Sequence, residues 1–92
     1  IDVRARPDYD NGHIPGAINL SLVFELSRES LAKVAAPDEP VAFYCHTKYC
    51  DYSAFASAKA IVWGWKKVYR FSGGFPEWES AGYPVEATTA PN

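Results

Sequence analysis

No stretch of this 92-residue sequence approaches the ~18 apolar residues that a membrane-spanning helix needs, so no such span is expected in this segment. Basic runs interleaved with aromatics are missing too, and the net charge is −2, which argues against a nucleic-acid partner. Cysteine is scarce. Only Cys45 and Cys50 occur, five positions apart (50 − 45 = 5). A pair that close does not staple a whole domain; it reads as a reactive site, a local redox pair or half of a metal site. There is no internal repeat and no second domain. A signal-peptide pattern is absent as well, but Ile1-Asp2-Val3 reads as the middle of a strand. The chain is therefore expected to be part of a larger one, with any targeting segment upstream.

What the sequence does have is apolar surface. The apolar fraction is 48%, too high for a disordered chain, and aromatics make up 15%. Each large ring removes roughly 150–250 Å² from water, enough to give a short chain a useful core. Short strands are expected at residues 1–4, 17–20, 41–44 and 68–71. Pro7-Asp8-Tyr9-Asp10-Asn11-Gly12 is turn chemistry, with one helical turn expected over residues 9–12. Leu22, Val23, Leu26 and Leu31 predict a short amphipathic helix capped by Ser21, with Glu25, Arg28 and Glu29 on its wet side. Val41-Ala42-Phe43-Tyr44 is an unbroken apolar run, suited to a strand buried on both faces. Ala54, Phe55, Ala58, Ile61, Val62 and Trp65 recur at helical spacing with Lys59 outside, predicting a helix from near Ser53 that stops near Gly64. Ser72-Gly73-Gly74 turns into a terminal helix at 75–81, and residues 87–92 read as a linker or tail after a domain spanning 1–86. Strands alternating with helices predict an α/β fold: an open, mostly parallel sheet with helices on both faces.

Ligands in such folds sit beyond the carboxyl ends of the strands, and Cys45 follows the strand ending at Tyr44. A strand–loop–helix crossing aims backbone N–H groups and the positive end of a helix into the loop. A thiolate there is expected to have a lowered pKa and to sit on the floor of a pocket, facing the N–H groups of residues 46–53. A nucleophile beside an anion nest is the minimum equipment for taking sulfur from an anionic donor.

Several segments together resemble the rhodanese (sulfurtransferase) family over nearly the whole chain. Asp2-Val3-Arg4 is similar to its opening strand motif, and Gly12-His13-Ile14-Pro15-Gly16-Ala17-Ile18-Asn19 to its second. Tyr44-Cys45 is similar to the strand presenting the nucleophile, and residues 68–78 with Gly73-Gly74 and Trp78, then Gly82-Tyr83-Pro84-Val85, to the closing motif. The resemblance implies a central parallel sheet, a persulfide on Cys45, a small anionic sulfur donor, a thiol or cyanide acceptor and no cofactor. It also implies that the family's first strand and helix lie upstream of Ile1. The departure is in the active loop. Common members read C-x-x-G-x-R followed by Ser or Ala. Here Cys45-His46-Thr47-Lys48-Tyr49-Cys50-Asp51-Tyr52-Ser53 places Ser53 eight positions on (53 − 45 = 8), two more than that pattern, with neither its Gly nor its Arg. Tyr52 stands where the Arg aligns. A subgroup with a C-x-x-x-x-C-x-x-S loop is similar, and weak turnover of thiosulfate is expected.

Residues 46–53 are thus the expected substrate-binding loop, and each has a plainer alternative. Cys45 competes with the reading of a buried structural cysteine. Cys50 reads as a resolving thiol, an alternative nucleophile or an inert side chain. His46 and Lys48 either supply the missing positive charge or are solvated. Asp51 suits the helix N-cap. His13 is expected to fix its turn, and Asp2 with Arg4 to form an ion-paired brace. Metal binding by Cys45, His46, Cys50 and His13 is disfavoured, because a single irregular Cys-x4-Cys lacks the paired short spacings of structural zinc. A phosphatase reading fails for want of a loop arginine. The runner-up function is a non-catalytic sensory or docking module of a larger protein.

Overall fold

The computed structural model describes residues 1–46 and 50–88. The elements run α1 (Arg6–Asn11), α2 (Arg28–Ala32), β1 (Val41–Tyr44), α3 (Tyr52–Val62), β2 (Val68–Phe71) and α4 (Gly74–Ser80). β1 and β2 pair in parallel, with Val41 opposite Val68 and Tyr44 opposite Phe71, joined by the crossover helix α3. On the other edge of β1 the chain at 1–4 lies parallel, through a bridge between Asp2 and Tyr44. Residues 17–20 lie beyond it, through a bridge between Asp2 and Asn19. The result is an open, parallel α/β arrangement with β1 in its interior.

The segments at 1–4 and 17–20 are isolated bridges rather than full strands. Side chains take over part of the ladder there: Asn19 Nδ2 donates to the carbonyls of Asp2 and Arg4 at 3.0 Å each, and the Arg4 N–H goes to Asp2 Oδ1. Nor is β2 buried as expected. It is an edge strand whose Tyr69 is 61% exposed, whereas in β1 only Ala42 reaches solvent.

The helix predicted over 22–31 divides in two. Ser21 closes a turn by accepting the Glu25 and Leu26 N–H groups on its carbonyl, and the helix restarts at Ser27. Ser27 and Ser30 exchange side-chain-to-backbone bonds of 3.0 and 2.8 Å, a capping box that fixes the true N-terminus.

α3 corrects the expected helix face. The residues against the sheet are Ser53, Ala56 and Ala60, spaced i, i+3, i+7, while Phe55, Ile61 and Val62 face outward. Small side chains let the helix axis come close to the sheet, and that proximity places Ser53 beside Cys45. Trp65 was correctly expected inside. It lies past the helix end, where Gly64 adopts φ +107 and the N–H groups of Gly64 and Trp65 return to the carbonyls of Ile61 and Ala60. The core gathers Val3, Leu20, Leu31, Val41, Phe43, Cys45, Ala56, Ala60 and Trp65. From α4, Trp78 Nε1 donates to the Pro84 carbonyl beyond the helix, and its ring packs on Tyr83. The chain stays attached past Glu86: Glu86 exchanges backbone bonds with His13, and the Thr88 N–H and hydroxyl bond to Asp10.

Candidate functional site

β1 ends at Tyr44 and delivers Cys45 at its carboxyl end, 1% exposed. The Cys45 carbonyl accepts the Phe75 N–H at 3.0 Å, which ties the start of the loop to the start of α4. Gly74 makes that approach possible. It has φ +70, and a Cβ there would lie 2.5 Å from the His46 carbonyl oxygen and 2.6 Å from that of Cys45. The double glycine of the closing motif is therefore part of the site's wall.

The Cys45 thiol donates to the Cys50 carbonyl at 3.3 Å, and Sγ lies 3.5 Å from Ser53 Oγ. Ser53 is itself buried in the first turn of α3. Burial, chiefly, pushes the Cys45 thiol above the ordinary thiol range; the Cys50 side chain opposes ionisation further, while the Ser53 hydroxyl and N–H partly offset the rise. This overturns the lowered pKa expected from the sequence. Among the described residues the expected nest is represented by Ser53, and the carbonyl of Cys50 faces the sulfur. A carbonyl favours the protonated thiol over the thiolate.

The other expected site residues separate. Thr47, Lys48 and Tyr49 lie outside the described residues. His46 is exposed, with Nε2 3.3 Å from Asp8 Oδ2. Asp51 holds the N-cap position of α3 but in helical conformation (φ −82, ψ −6), so its carboxylate makes no capping bond. Tyr52 lines a cavity of about 180 Å³ with Val23 and Phe24. Cys50 is half-buried, packs against the core and is a free thiol like Cys45. A cavity of about 510 Å³ runs along the outer face of α3 between Leu22, Phe55 and Val62. His13 is structural: its buried ring stacks on Tyr9 at 3.7 Å, with Nδ1 2.7 Å from the Tyr9 carbonyl oxygen. Asp2 and Arg4 form the expected brace, a buried pair at 2.8 Å.

One residue of the site was missed. Arg70 of β2 donates from Nε to Ser53 Oγ at 2.8 Å and from Nη2 to the Cys50 carbonyl at 3.3 Å. The available signal was a lone cation within the apolar strand Val68-Tyr69-Arg70-Phe71.

Residues 1–81 match the rhodanese-like domain family. Among curated relatives, the HTH-type transcriptional regulator Rv0324 of Mycobacterium tuberculosis is 38% identical over 86 residues, which cover 94% of this chain. The thiosulfate sulfurtransferase GlpE of Pseudomonas fluorescens is 32% identical over 89 residues, covering 97%. The chain spans 36% of the regulator's length and 76% of the sulfurtransferase's. Among solved structures, a rhodanese-like domain from Anabaena aligns at a TM-score of 0.84 with 22% identity, covering 99% of this chain and 93% of that one. An E. coli rhodanese solved with anions aligns at 0.74 with 28% identity, covering 94% and 93%.

Proposed function

Because this chain belongs to the rhodanese-like domain family, we propose that it is a sulfurtransferase-type domain carrying sulfane sulfur as a persulfide on Cys45. The observation that carries the reading is the place of Cys45: at the carboxyl end of the interior strand, with the Ser53 hydroxyl on its sulfur. The Cys45 thiolate attacks the outer sulfur of a donor such as thiosulfate. A new S–S bond forms, the donor's S–S bond breaks, and its electron pair leaves on sulfite. A thiolate or cyanide then attacks the outer sulfur of the persulfide and regenerates the Cys45 thiolate.

Cys50 has a resolving role within the same proposal. Its thiolate, attacking Cys45 Sγ of the persulfide, expels hydrosulfide and leaves a Cys45–Cys50 disulfide. The alternative is a sensory or docking module, favoured by the likeness to a transcriptional regulator and by a thiol held in its neutral form.

One experiment separates these readings. The protein is incubated with thiosulfate or a persulfide donor, digested with trypsin without reductant and weighed. Cleavage after Lys48 puts Cys45 and Cys50 on different peptides. Cys50→Ala should gain one sulfur on the Cys45 peptide, slowly from thiosulfate; wild type should show that sulfur or the Cys45–Cys50 cross-link that replaces it, and Cys45→Ser should show neither. Equal labelling of Cys45→Ser, or no labelling of Cys50→Ala, overturns the carrier reading. The absence of a cross-linked peptide after mild oxidation overturns the role for Cys50.

A further inference from the structure

The active loop carries no arginine, and its lysine lies outside the described residues, yet a cation does reach the thiol's surroundings from elsewhere. Arg70 sits opposite Phe43 in the parallel register, two residues before Cys45 in the neighbouring strand. From there its guanidinium crosses the sheet edge to two points that both touch the sulfur: Ser53 Oγ and the Cys50 carbonyl.

The Ser53 bond has a directional consequence. A hydroxyl has one proton and two lone pairs. With Arg70 Nε donating at 2.8 Å into a lone pair of Ser53 Oγ, the hydroxyl proton is left for another acceptor, and Cys45 Sγ lies 3.5 Å away. The chain Arg70–Ser53–Cys45 thus polarises the hydroxyl toward sulfur and favours negative charge there. At the same time Arg70 Nη2 competes for the Cys50 carbonyl that otherwise holds the thiol proton. Among the described residues no carboxylate pairs with Arg70, and the residue is exposed, so its charge is open to an incoming anion. The nearest ion pair at the loop's start, His46 with Asp8, is made without it.

We propose that Arg70 is a positioning cation of this site, supplied by β2, where it holds the Ser53 hydroxyl on Cys45 Sγ and favours anionic sulfur donors over neutral ones. The donor clause rests on the persulfide reading; the positioning role does not.

The test is therefore made on the thiol itself. Alkylation of the full chain is followed at the Cys45 peptide, with neutral iodoacetamide across pH and with anionic iodoacetate at a pH where the thiol is fully ionised. Arg70→Met should move the iodoacetamide profile up by about one pH unit, roughly tenfold less thiolate at neutral pH, and lower the iodoacetate-to-iodoacetamide rate ratio severalfold. Arg70→Lys keeps the charge without the fork and should retain the ratio while restoring only part of the profile. Ser53→Ala should move the profile and leave the ratio. If Arg70→Met, folded by circular dichroism, matches wild type in both readouts, the proposal is wrong. A profile shifted by Ser53→Ala but not by either Arg70 variant would overturn it as well. Neither readout requires a persulfide, so a protein that fails to load sulfur refutes the carrier function without touching this result.

Discussion

At the scale of single residues the site turns on a thiol that is also a core side chain. Cys45 belongs to the same buried cluster as Phe43 and Val41, and that burial is the main reason its pKa is raised. The consequence for stability has a definite sign. The folded thiol holds its proton to higher pH than the unfolded one, so the neutral form contributes stability that is complete below the unfolded value. That contribution is lost as pH rises through the folded value. Denaturant midpoints of wild type should therefore fall from neutral pH into the alkaline range more steeply than those of Cys45→Ala. Parallel curves would show that the buried thiol is not the group responsible. The same raised pKa predicts that sulfur loading speeds up with pH beyond the ordinary thiol range.

At the scale of elements, α3 decides the geometry. Its inner face is Ser53, Ala56 and Ala60, and its outer face carries the larger side chains Phe55, Ile61 and Val62. A wider inner residue would lift the helix from the sheet and draw Ser53 away from Cys45. Ala60→Leu should cost about 1–3 kcal/mol by overpacking, whereas Val62→Ser on the 82% exposed outer position should stay within about 0.5 kcal/mol. Urea titrations of the two variants compare them directly; equal costs would place the sheet-facing surface of α3 elsewhere. The apolar periodicity of the sequence picked out the bulky face as the buried one. Hydrophobicity alone favours that choice, but close packing on a sheet selects for small side chains instead.

At the scale of the molecule, the buried pair Asp2–Arg4 joins segments distant in sequence. Asp2 bridges in backbone to both Asn19 and Tyr44, while the Arg4 guanidinium takes both carboxylate oxygens and then the Gly12 carbonyl at 2.6 Å, under the ring of Phe75. Removing one charge strands the other in the interior. Asp2→Asn should lose about 3–5 kcal/mol, read from thermal or urea unfolding, and a loss under about 1 kcal/mol would mean that water compensates Arg4. A domain of this size has little stability in reserve, so this change is expected to affect folding before it affects chemistry.

The sequence by itself determined the mostly parallel α/β arrangement, the strands Val41–Tyr44 and Val68–Phe71, the start of α3 to within one residue, its stop near Gly64 and the place of Cys45 at a strand's carboxyl end. Each of these follows from local signals: an unbroken apolar run, a glycine where the chain must turn left-handed, a thiol at a strand–loop junction. The structural parts of the family motifs, the His13 turn and the Asp2–Arg4 brace, were legible for the same reason. Only the tertiary structure decided that Ser53 reaches Cys45, that Arg70 meets Ser53 and the Cys50 carbonyl beside it, that this carbonyl faces the sulfur, and that burial raises the thiol's pKa. Those contacts join residues 5, 8 and 17–20 positions apart, across a helix–sheet interface. Their existence depends on how closely α3 approaches the strands, a distance set by packing and written in no single segment of the chain.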